Sequence, residues 1–237
     1  MKKQRSDSRE TRRRLLAAAS EVFAEKGFWE ATNADICEKA KVNTAAVNYH
    51  FISKENLYVE TWKYSFERSI RAHPVDGGVS PDSTAQERLH GRIKSFIQRI
   101  TDPETHDLEI MHKEVVNPTG LLAETITKAI EPIDQGLKLV IQELLGSSAS
   151  EQQVLFCFIS IMSQCLGFVM HLRASKNAPG FQPTSLPQLG INVEEVADHI
   201  TQFSLAGINR LCEQALRKRE SSKRDESRGN TGPGEVN

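Results

Sequence analysis

The sequence predicts an all-α fold. Almost every segment repeats its apolar residues every three or four positions, the period of an amphipathic helix, and no run alternates as a half-buried strand does. The breaks between these segments carry helix punctuation: hydroxyl or amide residues where a helix would start, and glycine or proline where one would stop. With 237 residues, 38% of them hydrophobic, the chain can bury a core in one large or two modest domains.

The first helix fits Arg9 to Lys26, with Leu15, Leu16, Ala19, Val22 and Phe23 on one stripe and Gly27 as a left-handed stop. The second starts after Thr32, whose hydroxyl can cap it while Asp35 reaches back; this capping box leaves Ile36 facing inward. After Ala40-Lys41-Val42, a short third helix runs from about Thr44 to His50, with Asn43 as N-cap and Val47 and Phe51 as anchors. Ser53 caps a fourth, which carries Leu57, Tyr58, Trp62, Phe66 and Ile70. Pro74, Gly77, Gly78 and Pro81 interrupt the pattern, and a fifth helix spans roughly Thr84 to Ile100. Further helices are expected at Asp107 to Val116, at Leu121 to Leu145 with a kink or break at Pro132, at Ser150 to Arg173 and at Val193 to Arg219. The proline-containing stretch from Ala174 to Asn192 reads as a loop. Glu220 to Asn237 has almost no apolar residues and reads as a disordered tail.

The formal charge of -1 conceals an uneven distribution. Lys2, Lys3, Arg5, Arg9, Arg12, Arg13 and Arg14 crowd the N-terminus against Asp7 and Glu10, a basic arm that suits either a polyanion partner or plain solvation. Cys37, Cys157, Cys165 and Cys212 have no CxxC spacing and sit in apolar helical patterns, so neither a disulfide framework nor a zinc site is indicated. The N-terminus lacks the apolar stretch of a secretory signal, and a cytoplasmic protein is expected. Val154 to Leu172 contains no Lys, Arg, Asp or Glu and reaches the minimum length of a membrane span. Ser160, Ser163, Gln164 and His171 lie within it and no strong positive flank follows, so it reads as a helix buried by protein on all sides, without a membrane partner.

Two short helices joined by three residues are the ingredients of a helix-turn-helix, in which the second helix enters the major groove of double-stranded DNA. The third helix suits that role. Asn48 can bridge N6 and N7 of adenine, and Thr44, Ala45 or Ala46 can touch a thymine methyl. Tyr49, His50 and Lys54 suit phosphate oxygens, as do the helix starts at Thr32-Asn33 and Ser53-Lys54 and the exposed turn at Lys41 and Asn43. Any one of these polar residues could simply be solvated; their clustering on one short helix behind a capped partner favours readout.

The run from Thr11 to Leu57 resembles the DNA-binding domain of the tetracycline-repressor family. The matching residues are Thr11-Arg12, Leu15-Leu16-Ala17-Ala18-Ala19, Phe23-Ala24-Glu25-Lys26-Gly27-Phe28, Ala31-Thr32 with Ile36, and Val42 to Leu57, including His50-Phe51-Ile52-Ser53-Lys54-Glu55. Val47-Asn48-Tyr49-His50-Phe51, and later His112-Lys113-Glu114 to Pro118 and on to Pro132, are similar to its YbiH-like (CecR-type) branch. Two positions depart from the family pattern. Lys41 stands where glycine is usual in the turn, so either a positive φ is tolerated at about 1 kcal/mol or the turn differs locally. Asn48 stands where an aromatic residue is common, so the family's base preference does not carry over to this position.

The resemblance implies a DNA-binding transcription regulator, with repression the expected mode. It implies a homodimer held by the last two long helices, and a pocket among helices four to eight in which a small-molecule effector alters the spacing of the two recognition helices. Independently, a helix apolar on every side needs protein on two faces, and Phe156, Ile159 and Ser163 with Ile200, Phe203, Gly207 and Leu211 are the expected interface. Candidate pocket residues are Trp62, Phe66, His112, Glu114, Gln164, Phe168 and His171. No nucleophile elbow, HExxH or phosphate-binding loop is present, so neither enzyme activity nor a cofactor is expected, nor a metal. The alternative is a non-specific architectural protein tethered to nucleic acid by its basic arm. By role the chain divides into residues 1–53 for DNA binding, 54–219 for effector binding and dimerisation with helix four as connector, and the tail 220–237.

Overall fold

The computed structural model describes residues 2–177 and 192–229, and every regular element among them is a helix. In order these are α1 (Lys2–Glu30), α2 (Asn33–Ala40), α3 (Ala45–Phe51), α4 (Lys54–Ala72), α5 (Ala85–Thr101), α6 (Asp107–Val116), α7 (Ala123–Leu145), α8 (Glu151–Asn177) and α9 (Val193–Gly229). None of them is long and apolar enough to cross a membrane. The chain forms two compact units, one of Met1–Gly78 with Ser95–Asp134, the other of Val79–Lys94 with Gln135–Asn237.

The first unit is built on α1. Its stripe residues Leu15, Ala19 and Phe23 are fully buried, as are Ile36 of α2, Val47 of α3, Leu57 of α4, Ile110 of α6 and Leu122. Phe23 and Phe28 close on Tyr58, with ring centroids 4.8 and 5.1 Å away. Because α4 and α6 pack on α1, this unit reaches far beyond residue 53, so packing divides the chain elsewhere than the division by role. Helix α1 begins at Lys2 rather than Arg9, since residues 2–10 contain good helix formers and no breaker. Gly27 interrupts it with φ 74° and ψ 179°, a positive-φ break that favours glycine but with an extended ψ in place of the αL stop expected there.

Buried polar groups tie α4, α5 and α6 together within this unit. Arg99 donates to Asp107 at 2.9 Å and to Ser69 Oγ at 3.0 Å, and the Trp62 indole donates to the Asp107 carbonyl at 3.1 Å. Burial pushes the Asp107 carboxyl upward, against the pull of the Arg99 guanidinium.

In the second unit, Leu89 and Ile93 of α5, Val140 and Ile141 of α7, Ile161 and Cys165 of α8, and Ala197 and Ile200 of α9 form the core. The four cysteines are unpaired, and burial raises the Cys165 thiol to about 12. Helix α7 continues through Pro132 without a break; the lost backbone donor is one bond in a 23-residue helix. Helix α9 runs to Gly229, ten residues into the expected tail, because Lys, Arg and Glu there favour helix and no proline intervenes. Residues 230–237 and most of the expected 174–192 loop lie outside the described residues.

Candidate nucleic-acid interface

Local chemistry positions the start of α2. Asp35 N–H donates to Thr32 Oγ1 and Thr32 N–H donates to Asp35 Oδ2, both at 3.1 Å, completing the capping box. Lys26 Nζ lies 3.0 Å from Asp35 Oδ2, which helps hold that carboxyl below the usual carboxylate range. Ile36, Cys37 and Ala40 are buried, so α2 presents Thr32, Asn33 and Ala34 outward. Asn33 is half-buried, and its Oδ1 is shut from solvent without a hydrogen-bond partner.

The turn keeps its left-handed residue although no glycine is present. Lys41 has φ 53° and ψ 48°, and its N–H donates to Glu38 O while Val42 N–H donates to Cys37 O, each at 3.0 Å. Arg14 of α1 reaches the same turn, donating to Lys41 O at 2.9 Å and to Ala40 O. These bonds satisfy carbonyls at the end of α2 and offset part of the strain, about 1–2 kcal/mol for a residue with Cβ.

Helix α3 starts one residue later than the pattern suggests. Asn43 Oδ1 accepts from Ala45 N–H at 2.8 Å, so Asn43 caps the backbone as expected, while Thr44 occupies the N-cap position and its side chain makes no capping bond. Val47 and Phe51 are buried; Thr44, Ala45, Asn48 and Tyr49 are exposed on the opposite face, Tyr49 to 77%. A short exposed face with an amide, a hydroxyl, a methyl and a phenol is what base-edge and phosphate contacts require.

Two residues expected to meet phosphate are more constrained. His50 is half-buried between Tyr49 and Phe51, and burial, with the nearby Arg12 charge second, depresses its pKa. At neutral pH it can therefore donate a hydrogen bond but brings no positive charge. Lys54 lies with Nζ 4.4 Å from the Phe28 ring centroid, and burial lowers its pKa. Ser53 caps α4 by accepting from Asn56 N–H at 3.2 Å.

Part of the basic arm does structural work that its charge did not signal. Arg12 stacks over Phe51 at 5.0 Å and pairs with Glu60 at 2.8 Å, Arg13 pairs with Glu10, and Arg14 closes the turn. The partner of Arg13 lies one turn away on the same helix, whereas those of Arg12 and Arg14 lie on other elements.

The expected pocket residues fall into different units. Trp62 and Phe66 stack at 5.1 Å and, with Lys63, Glu67, Glu124 and Lys128, line an open groove of about 530 Å³ in the first unit. His112 is exposed on α6. Glu114 is buried, and its carboxylate accepts from Tyr58 OH, Thr119 N–H, Thr119 Oγ1–H and Gly120 N–H, so it serves as an internal brace and has no capacity to spare for a ligand. Gln164 and Phe168 belong to the second unit, and the His171 side chain lies outside the described residues.

Phe156, Ile159, Ser163, Phe203 and Gly207 are exposed on α8 and α9, Phe156 to 58% and Phe203 to 64%, and Leu211 is half-buried. A groove of about 400 Å³ runs between these helices and includes Phe156, Gln164, Phe203, Gly207 and Leu211. Ile200 is a correction: it is fully buried with Ala197 and Ile208, because the inward stripe of α9 passes through it and the outward stripe begins at Phe203.

Residues 85–208, just over half of the chain, match the family described as "HTH-type transcriptional dual regulator CecR, C-terminal domain", and residues 15–61 match "Bacterial regulatory proteins, tetR family". The HTH-type transcriptional dual regulator CecR of Shigella flexneri is 26% identical over 169 residues, covering 67% of this chain and 75% of that protein. The HTH-type transcriptional regulator UidR of Escherichia coli K12 is 33% identical over 120 residues, 50% of this chain and 59% of that protein. Among solved structures, a TetR-like transcriptional regulator from Rhodococcus sp. RHA1 superimposes with a TM-score of 0.63 at 14% identity, over 84% of this chain and 96% of that one. AibR, solved with isovaleryl coenzyme A and operator DNA, gives 0.59 at 18% identity, over 81% and 97%.

Proposed function

Since the chain belongs to the tetR family of bacterial regulatory proteins and carries a C-terminal domain of the CecR type, we propose that it is a homodimeric, effector-controlled repressor that binds an operator through α3. One observation carries this reading: Thr44, Ala45, Asn48 and Tyr49 are exposed on one face of α3, behind an α2 locked by its capping box and a turn held by Arg14. Asn48 reads adenine, Thr44 and Ala45 sense a thymine methyl, and Tyr49, His50, Lys54, Lys41, Asn43 and the Thr32-Asn33 helix start engage phosphate. Arg12 and Arg14, each engaged by another element of the fold, leave fewer free cations for indiscriminate tethering, which favours readout over an architectural role.

The partner copy meets the apolar face of Phe156, Ile159 and Phe203 together with Ser163, Gly207 and Leu211. A small molecule occupying the groove beside Trp62 and Phe66 biases the distance between recognition helices away from one DNA turn, about 34–36 Å. Repression follows by occlusion of a promoter, in the cytoplasm, without catalysis or a resident cofactor.

Selection of preferred sites from random duplex DNA with the purified protein tests this. A palindrome with half-sites about one turn apart is the expected product. Salt-sensitive binding with no enriched sequence would instead support the architectural role.

A further inference from the structure

The second unit gathers three side chains suited to a metal ion, none of them among the residues assigned to DNA, effector or dimer contacts. His90 stands on α5, and Glu194 and Asp198 stand one helical turn apart at the start of α9. One potential ligand atom from each lies within 4.8 Å of the other two. The imidazole Nε2 is 2.8 Å from Asp198 Oδ1 and closed to solvent, yet the two do not have hydrogen-bond geometry. Donor atoms this close whose lone pairs do not point along the line between them are arranged as neighbouring ligands are. Bonds of about 2.1 Å place two ligand atoms about 3 Å apart at a right angle and about 3.4 Å apart at a tetrahedral one, so the exposed Asp198 carboxylate has to move outward by a few tenths of an ångström to admit an ion.

A cation already sits at the third residue. Lys94, one turn after His90 on α5, places Nζ 2.6 Å from Glu194 Oε2. The cluster therefore counts two carboxylates, one of them paired with Lys94, against one ammonium group, which leaves negative charge to spare for a divalent ion.

We propose that His90, Glu194 and Asp198 bind a divalent first-row transition ion of the Zn²⁺ type, with water completing its coordination. One imidazole nitrogen with two carboxylate oxygens suits such an ion better than Ca²⁺ or Mg²⁺, which favour all-oxygen sites. The bound ion joins α5 to the first turn of α9, and Glu194 exchanges Lys94 for the metal.

The test is calorimetric titration of the full-length, chelator-stripped protein with ZnCl₂ alone. One site per chain is expected to weaken about tenfold or more in His90→Ala and in Asp198→Asn, while His112→Ala, which removes an exposed imidazole on α6, leaves it intact. Both target side chains are partly exposed, at 28% and 64%, so both variants are expected to fold, and circular dichroism checks this. A zinc isotherm unchanged in both folded variants, or no zinc-dependent heat in the parent protein, overturns the proposal.

Discussion

Replacing Glu114 by alanine is expected to destabilise the first unit strongly. Its carboxylate accepts from Tyr58 OH at 3.2 Å, Thr119 N–H at 3.0 Å, Thr119 Oγ1–H at 2.9 Å and Gly120 N–H at 2.9 Å. Tyr58 is 1% exposed, so its hydroxyl would lose its acceptor with no water to replace it, a loss of about 2 kcal/mol for a bond to a charged group. The three donors from the loop after α6 are only partly buried and can be rehydrated, at about 0.5 kcal/mol each. The sum is about 3–4 kcal/mol, which for a protein of this size lowers Tm by about 10 °C. Tyr58→Phe keeps the packing against Phe23 and Phe28 and should cost about 1–2 kcal/mol, and the double variant should lose less than the two single losses added together. Urea denaturation followed by circular dichroism reads all three proteins, the double variant included. A loss below about 1 kcal/mol in Glu114→Ala, or strict additivity of the two changes, would refute the bracing role.

Lys41→Gly relieves a left-handed residue worth about 1–2 kcal/mol, gives back about 0.4–1 kcal/mol as unfolded-chain entropy, and should stabilise by roughly 0.5–1 kcal/mol in the same denaturation assay. Asn48→Ala should erase preference at one base position, about 1–3 kcal/mol of discrimination, with half-sites otherwise unchanged in competition binding. Lys54→Ala should weaken all sequences alike and also lose about 0.5–1 kcal/mol of stability, because its ammonium group packs on Phe28. Phe203→Asp, at a 64% exposed position, should leave the monomer folded but weaken self-association at least about a hundredfold, since the two copies each lose about 1.5–3 kcal/mol of burial; sedimentation velocity reads this. The depressed His50 pKa means the folded state resists the charged imidazole. Its contribution is intact above the ordinary value near 6.5 and is lost as pH falls through the lower folded-state value, and His50→Gln should flatten that part of the stability profile.

What was legible in the sequence was local. Thr32 and Asp35 lie three residues apart, Ser53 directly precedes its helix, and Gly27 needs only its own backbone, so one turn of chain contains each cause and its effect. Lys41 was half legible. Its place between two helices implied a turn, but the partner that holds the turn in its left-handed form, Arg14, comes from 27 residues away. The same distance explains the arginines of the arm: counted along the chain they form a charge run, whereas on the helix Arg12 and Arg14 each find a partner on another element.

The pocket and interface residues failed to separate for a different reason. Periodicity states that a helix has an apolar face but not which neighbour covers it, and where apolar residues surround the helix, as along α8 and over residues 200–211 of α9, it does not fix the phase of the inward stripe. Ile200 and Phe203 share the same spacing logic, yet one is fully buried and the other 64% exposed. Glu114 shows the converse, a charged residue made internal by donors 5, 6 and 56 positions away. A buried charge is tolerated only when its partners converge in space, so its role becomes readable only once the helices that bring those partners are placed. His90, Glu194 and Asp198 follow the same rule across more than a hundred residues: nothing in the chain marks them as a set, and only the pairing of α5 with α9 makes them one.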